Sequence, residues 1–165
     1  MNLFLLRHGI AVERGDLDYQ NDAARPLTPK GRRQLRQVAA AVRALELRFD
    51  AVWSSPLVRA RQTGEIMSRK FKAGLVFAGE LKPGGDPRKL IRKISRQKPV
   101  PENLLLVGHE PDLSELISLL VAGRPGAGFA LKKGGMARLE IEALQAGKCA
   151  TLAWLLAPAQ LRLMV

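Results

Sequence analysis

Histidine, cysteine and aromatic residues are all scarce in this chain, and each scarcity excludes something. Cys149 is alone, which rules out an internal disulfide and any multi-cysteine metal cage. Aromatics are 5% of residues, too few for a base-stacking platform, so nucleic acid is a disfavoured partner. No apolar run approaches the roughly 18 residues of a membrane-crossing helix. The four-residue run before Arg7 lacks the basic start of a secretion signal. A cytoplasmic protein with no structural metal, no cofactor and no membrane partner is the simplest expectation. The 165 residues are expected to form one domain over 1–165, long enough to bury a sizeable core.

Acidic residues are also few: 15 against 27 Lys and Arg, a formal charge of +12. Much of the excess lies in two blocks, Lys30 to Arg48 and Lys82 to Lys98. Such a field attracts phosphates, acidic protein surfaces or nucleic acid, although two solvated helix faces would give the same pattern. The helix predicted at 86–97 could steer an acidic partner through Lys89, Arg92 and Lys93.

Residues 2 to 7 read as a buried strand, because the apolar run is continuous. A polar loop follows through Pro26. Thr28-Pro29 then signals a helix, with threonine as cap and proline at the first position. Leu35, Val38, Ala39, Val42 and Leu45 give that helix one apolar stripe. Asp50–Ser54 is a second strand, Ser55-Pro56 starts a helix to about Phe71, and Leu75–Ala78 is a third strand. Asp86-Pro87 repeats the cap signal for a basic helix ending near Gln97. Leu104–Val107 is the fourth strand, and Pro111–Val121 an apolar helix ending at Gly123. Met136–Ile141 and Thr151–Leu156 read as two strands added antiparallel at an edge. Alternating strands and helices predict a three-layer α/β/α sandwich with a mostly parallel central sheet.

The two histidines, His8 and His109, each sit where an apolar strand runs out. Ligands of open α/β sheets bind beyond the carboxyl ends of the strands, so both rings have a route into one cleft. In Arg7-His8-Gly9, a neutral imidazole can attack phosphorus. The Arg7 fork suits phosphoryl oxygens, and Gly9 lets the backbone approach an oxyanion. A strand-end histidine bonded to a backbone carbonyl is the bland alternative. Arg59 opens the helix after Ser54-Ser55-Pro56, where a cation opposes the helix dipole and calls for an anionic partner. Arg61 points elsewhere, being two residues on. His109 could donate to a phosphoryl oxygen.

These residues carry a resemblance. Leu6-Arg7-His8-Gly9, Leu27-Thr28-Pro29-Lys30-Gly31, Ser54-Ser55-Pro56 through Arg59 to Gln62-Thr63, and Gly108-His109 occur in the order seen in the histidine phosphatase superfamily. That superfamily has the phosphoglycerate-mutase-like fold. The short length, Arg25-Pro26-Leu27-Thr28 and the segment Gly79 to Asp86 are similar to the SixA-type protein phosphohistidine phosphatases. The resemblance implies a metal-independent phosphatase in which His8 is transiently phosphorylated. It makes Arg7, Arg59 and His109 the phosphate pocket, with Arg7, Gly9, Arg59 and His109 touching substrate. The flanking arginines are expected to keep His8 neutral, and to supply the charge neutralisation that Mg²⁺ gives kinases.

The proton donor is open at this level. Glu80, read as ending the third strand, is the first candidate and Glu110 the second, while Asp86 is better explained as a helix cap. Ile10-Ala11-Val12 stands where mutases carry a polar residue, and no long segment caps the cleft. A protein-borne phosphohistidine is therefore the leading substrate. A small phosphomonoester and a non-catalytic polyanion-binding module are the alternatives.

Overall fold

A computed structural model describes residues 1–164, and a six-stranded sheet organises it. The strands are β1 (Asn2–Arg7), β2 (Ala51–Ser54), β3 (Gly74–Phe77), β4 (Asn103–Gly108), β5 (Met136–Ile141) and β6 (Ala150–Leu156), in the order β3-β2-β4-β1-β5-β6. The pairs β3–β2, β2–β4 and β4–β1 are parallel. The pairs β1–β5 and β5–β6 are antiparallel, which is the edge addition the sequence predicts. Five helices accompany them: α1 (Pro29–Ala44), α2 (Val58–Phe71), α3 (Pro87–Ser95), α4 (Asp112–Ala122) and the short α5 (Pro158–Arg162).

The continuous apolar strands are buried on both faces because each face carries its own core. Leu3, Leu5, Leu104 and Leu106 point to one side, where Leu90, Ile94, Leu113 and Ile117 of α3 and α4 cover them. Phe4, Leu6, Leu105 and Val107 point to the other, against Val38, Val42, Ala60 and Met67 of α1 and α2. Alternate residues of a strand face opposite ways, so one leucine-rich run feeds both cores. The three-layer expectation holds.

Local chemistry sets most boundaries. Thr28 caps α1, its hydroxyl accepting the Gly31 amide at 3.0 Å. Asp86 caps α3, accepting the Arg88 amide at 2.8 Å. Gly123, at φ +77°, ends α4 in the left-handed conformation that glycine adopts without strain. The second helix starts later than Ser55-Pro56 implies. Ser55 Oγ accepts the Leu57 amide at 3.3 Å, so residues 55–57 stay a turn and α2 begins at Val58. The sequence reading missed α5, whose Leu161 is fully buried against the α1–α2 layer.

Topology places the site. β1 and β4 are neighbours in register, with Arg7 opposite Gly108. The chain leaving β1 enters α1 on one face, and the chain leaving β4 enters α4 on the other. A crevice opens where connections part in this way, directly above His8 and His109.

Candidate active site

The ladder between the central strands continues one residue past their ends: the His8 amide donates to Gly108 O at 3.1 Å, and the Ser55 amide to Val107 O at 2.9 Å. His8 and Ser55 are thereby fixed by backbone, His109 O accepts the Leu113 amide at 3.0 Å, and the ring centroids of the two histidines lie 5.1 Å apart. Arg59 reaches the same point from the first turn of α2. His8, His109 and Arg59 converge, and Arg7 ends β1 immediately before His8. His8 is 7% exposed, His109 3% and Arg59 2%.

Hydrogen bonds define the state of each ring. His8 Nδ1 lies 2.7 Å from Gly9 O; a carbonyl only accepts, so Nδ1 carries the proton and Nε2 keeps its lone pair. Arg59 Nε donates to that Nε2 at 3.3 Å, in agreement. The nitrogen facing the arginine is therefore the nucleophilic one. Burial pushes the His8 imidazole down to about 3; the Gly9 carbonyl works upward, and His109, Arg59 and Arg7 add to the lowering. The ring is neutral, as expected, but desolvation rather than the flanking arginines is the larger cause.

His109 is also held neutral, lowered to about 4 by burial first and by Arg59 next. Its Nε2 lies 2.9 Å from Ser55 Oγ. With the Ser55 hydroxyl hydrogen pointed at Nε2, its oxygen still accepts the Leu57 amide. The His109 proton then sits on Nδ1, which is buried without a partner. Arg7 leaves a second unused donor: Nη1 donates to Leu131 O at 2.8 Å, while its buried Nε has no partner. Buried donors left unpaired cost stability, and a phosphoryl oxygen would satisfy them.

Residues outside the strands complete the pocket. The Thr63 hydroxyl accepts the Gly9 amide at 3.2 Å and donates to Arg59 O at 2.8 Å. Gln62 Oε1 accepts the Leu27 amide at 2.8 Å. This pair of α2 side chains ties the histidine loop to the helix that carries Arg59. Gly9 packs on Leu35, where a Cβ would come within 2.5 Å of its Cδ1. Arg61 points away and pairs with Glu65 at 3.7 Å.

Sequence reasoning missed Asp22. Its carbonyl and Oδ2 accept from Arg59 Nη1 at 2.7 Å and Nη2 at 3.0 Å. Oδ1 pairs with Arg25 at 2.7 Å and Arg14 at 3.0 Å. The anionic partner that Arg59 calls for is thus supplied by the chain itself. Burial raises the Asp22 pKa, but hydrogen bonding to Arg25 and the charges of Arg59 and Arg25 win, holding it at about 2. Its only sequence signal is its place three residues before Arg25.

Glu80 does not end a strand as expected. β3 ends at Phe77, and Glu80 lies in a short 3-10 turn, Gly79–Leu81. Its carboxylate binds Lys93 Nζ at 2.9 and 3.2 Å, and that bond lowers its pKa. Glu80 shares a cavity of about 50 Å³ with His109, but as an anion. Glu110 Oε2 accepts the Ser114 hydroxyl, and its Oε1 is buried without a partner.

A neutral histidine whose Nε2 lone pair faces Arg59, a second histidine 5.1 Å away and Arg7 beside the first make a candidate site for a phosphoryl group on a phosphoglycerate-mutase-like fold. Known proteins agree with that class. The family model for the histidine phosphatase superfamily (branch 1) matches residues 3–82. A protein of Picosynechococcus whose function is uncharacterised is 40% identical over 139 residues, 82% of each chain. The probable phosphoglycerate mutase GpmB of Escherichia coli is 34% identical over 82 residues, half of this chain but only 37% of that longer protein. The structure of the protein histidine phosphatase SixA complexed with tungstate superposes with a TM-score of 0.82 at 26% identity, covering 98% of this chain and 99% of that one. The chain belongs to the histidine phosphatase superfamily, and its architecture is of the SixA type.

Proposed function

We propose that this protein is a cytoplasmic, metal-independent phosphatase that hydrolyses phosphohistidine on another protein through a phosphorylated His8. The carrying observation is the state of His8: Nδ1 donating to Gly9 O, and a neutral, unprotonated Nε2 facing Arg59 beside the His109 ring. In the first step Nε2 bonds to phosphorus as the phosphorus–nitrogen bond of the substrate breaks, and the departing imidazole, protonated from solvent on its other nitrogen, leaves as the neutral ring. Gly9 O stays bonded to Nδ1–H while the His8 ring becomes cationic. In the second step water attacks phosphorus, the bond to Nε2 breaks, dihydrogen phosphate leaves with the protons of the water, and His8 returns to its neutral Nδ1–H form. Arg59, Arg7 and the His109 Nδ1 proton serve the phosphoryl oxygens, so Arg59 Nε passes from His8 to the substrate.

The leaving group separates the two enzymatic readings. A small phosphomonoesterase needs an acid for an alkoxide, and Glu80 is held ionised by Lys93. An imidazole leaves with an ordinary pKa near 6.5 and is protonated readily near neutrality. A site whose nearby Glu80 is ionised therefore favours phosphohistidine. His8→Ala is expected to abolish turnover, and wild-type rates are expected to be far higher on a phosphohistidine protein than on sugar phosphates. Full activity in His8→Ala would overturn the mechanism; preference for the sugar phosphates would overturn the substrate. Retained polyanion binding with no turnover would instead support the non-catalytic module.

A further inference from the structure

The geometry points to a docking groove for an acidic amphipathic helix between α1 and α2, one helical turn from Arg59. This rests on the phosphoprotein reading above and says which surface of the enzyme the substrate protein meets. The groove holds about 410 Å³ and is walled by Arg32 and Arg36 of α1 and by Arg69 and Lys70 of α2, over a floor that includes Ala39 and Ile66. Arg32 and Arg36 are four apart and so stack along one face. Glu65 is the one carboxylate in its lining and is already shared between Arg61 at 3.7 Å and Arg69 at 3.5 Å. Among the described residues, Arg32, Arg36 and Lys70 have no carboxylate within 4.0 Å. These three cations beside an apolar floor complement glutamates flanking an apolar stripe.

The α1 dipole supports the same sign of partner. The first turn of α1 contains no acid, whereas Lys30, Arg32 and Arg33 stand at or near its positive end. A cation there is unfavourable on its own, and an anionic surface laid across that end would relieve it. The groove also communicates with the pocket by position. Gln62 lines it and holds Leu27 at the loop above His8. The basic α3, by contrast, lies on the opposite layer, and its Lys93 is engaged by Glu80 at 2.9 Å and by the Trp53 ring at 5.9 Å.

The test compares two double charge reversals of equal net charge on opposite layers, Arg36→Glu/Lys70→Glu and Arg92→Glu/Arg96→Glu. The probe is a fluorescein-labelled helical peptide with glutamates flanking a leucine stripe. The first variant should bind it on the order of tenfold more weakly, or worse, and the second close to wild type. Equal binding by the two variants, or no binding by wild type, would overturn the groove. With an acidic domain phosphorylated on histidine by phosphoramidate, the first variant should raise KM and leave kcat unchanged, and turnover of free phosphohistidine should not change. If wild type hydrolyses no phosphohistidine at all, the proposed activity fails, while the peptide titration still decides the groove.

Discussion

Replacing Asp22 by Asn isolates one charge at the mouth of the pocket. Asn keeps an oxygen for Arg59 and Arg25 but removes the carboxylate that three arginines share. The native pKa is about 2 against an ordinary 3.8, and each unit is worth about 1.4 kcal/mol, so the face value is roughly 2 kcal/mol. The side chain is 41% exposed, and solvent screening reduces the charge contribution to about 1 kcal/mol. The sign follows from linkage. A carboxyl with a depressed native pKa stabilises fully above its unfolded value and loses that contribution as pH falls through its folded value. Urea titrations of both proteins should therefore show a difference of about 1 kcal/mol at pH 6, with about half of it gone near pH 3. An equally stable Asp22→Asn protein, or a difference that stays flat from pH 6 to pH 3, would refute the reasoning.

Three further outcomes are expected. Arg59→Ala should cost on the order of 10²–10³-fold in kcat/KM, the scale of losing one transition-state donor; a loss below about threefold would remove Arg59 from the pocket. Ser55→Ala should release the His109 tautomer, seen as a shift of its ¹⁵N resonances away from Nδ1–H. The spectrum is simple because the chain has two histidines, and unchanged His109 signals would show that Ser55 does not set the proton. Both imidazoles are lowered from 6.5, to about 3 and about 4. Below pH 6.5 the unfolded chain thus binds protons that the native state does not, and stability should fall from pH 6.5 toward pH 4. His109→Gln should flatten that slope in denaturant titrations; an identical slope would mean the native ring titrates normally.

The parts of this fold that were legible in the sequence are those whose signal is local. Thr28-Pro29 and Asp86-Pro87 carry their own caps, and the leucine runs before Arg7 and Gly108 have nowhere to go but a doubly covered sheet. The strand-end rule then brought His8 and His109 together across about a hundred residues. What was hidden depends on tertiary partners. Ser55 could read as a helix cap only while His109 was unknown as its neighbour. Asp22 sits in a polar loop 37 residues from Arg59, and nothing beside it in sequence announces that pairing. Glu80 looked free until α3 brought Lys93 onto it. The cause of the His8 shift was hidden in the same way, because burial is a property of the packed crevice and the arginines are visible in the chain.

The central claim is that one imidazole nitrogen, His8 Nε2, takes the phosphoryl group, and the most direct measurement is to trap it there. The protein is mixed with a phosphohistidine-bearing domain, quenched in alkali within the first turnovers, digested and mapped by mass spectrometry. Phosphate on the peptide containing His8, absent from the one containing His109 and lost in His8→Ala, is the predicted result. Phosphate on His109, or turnover with His8 never labelled, would contradict the account.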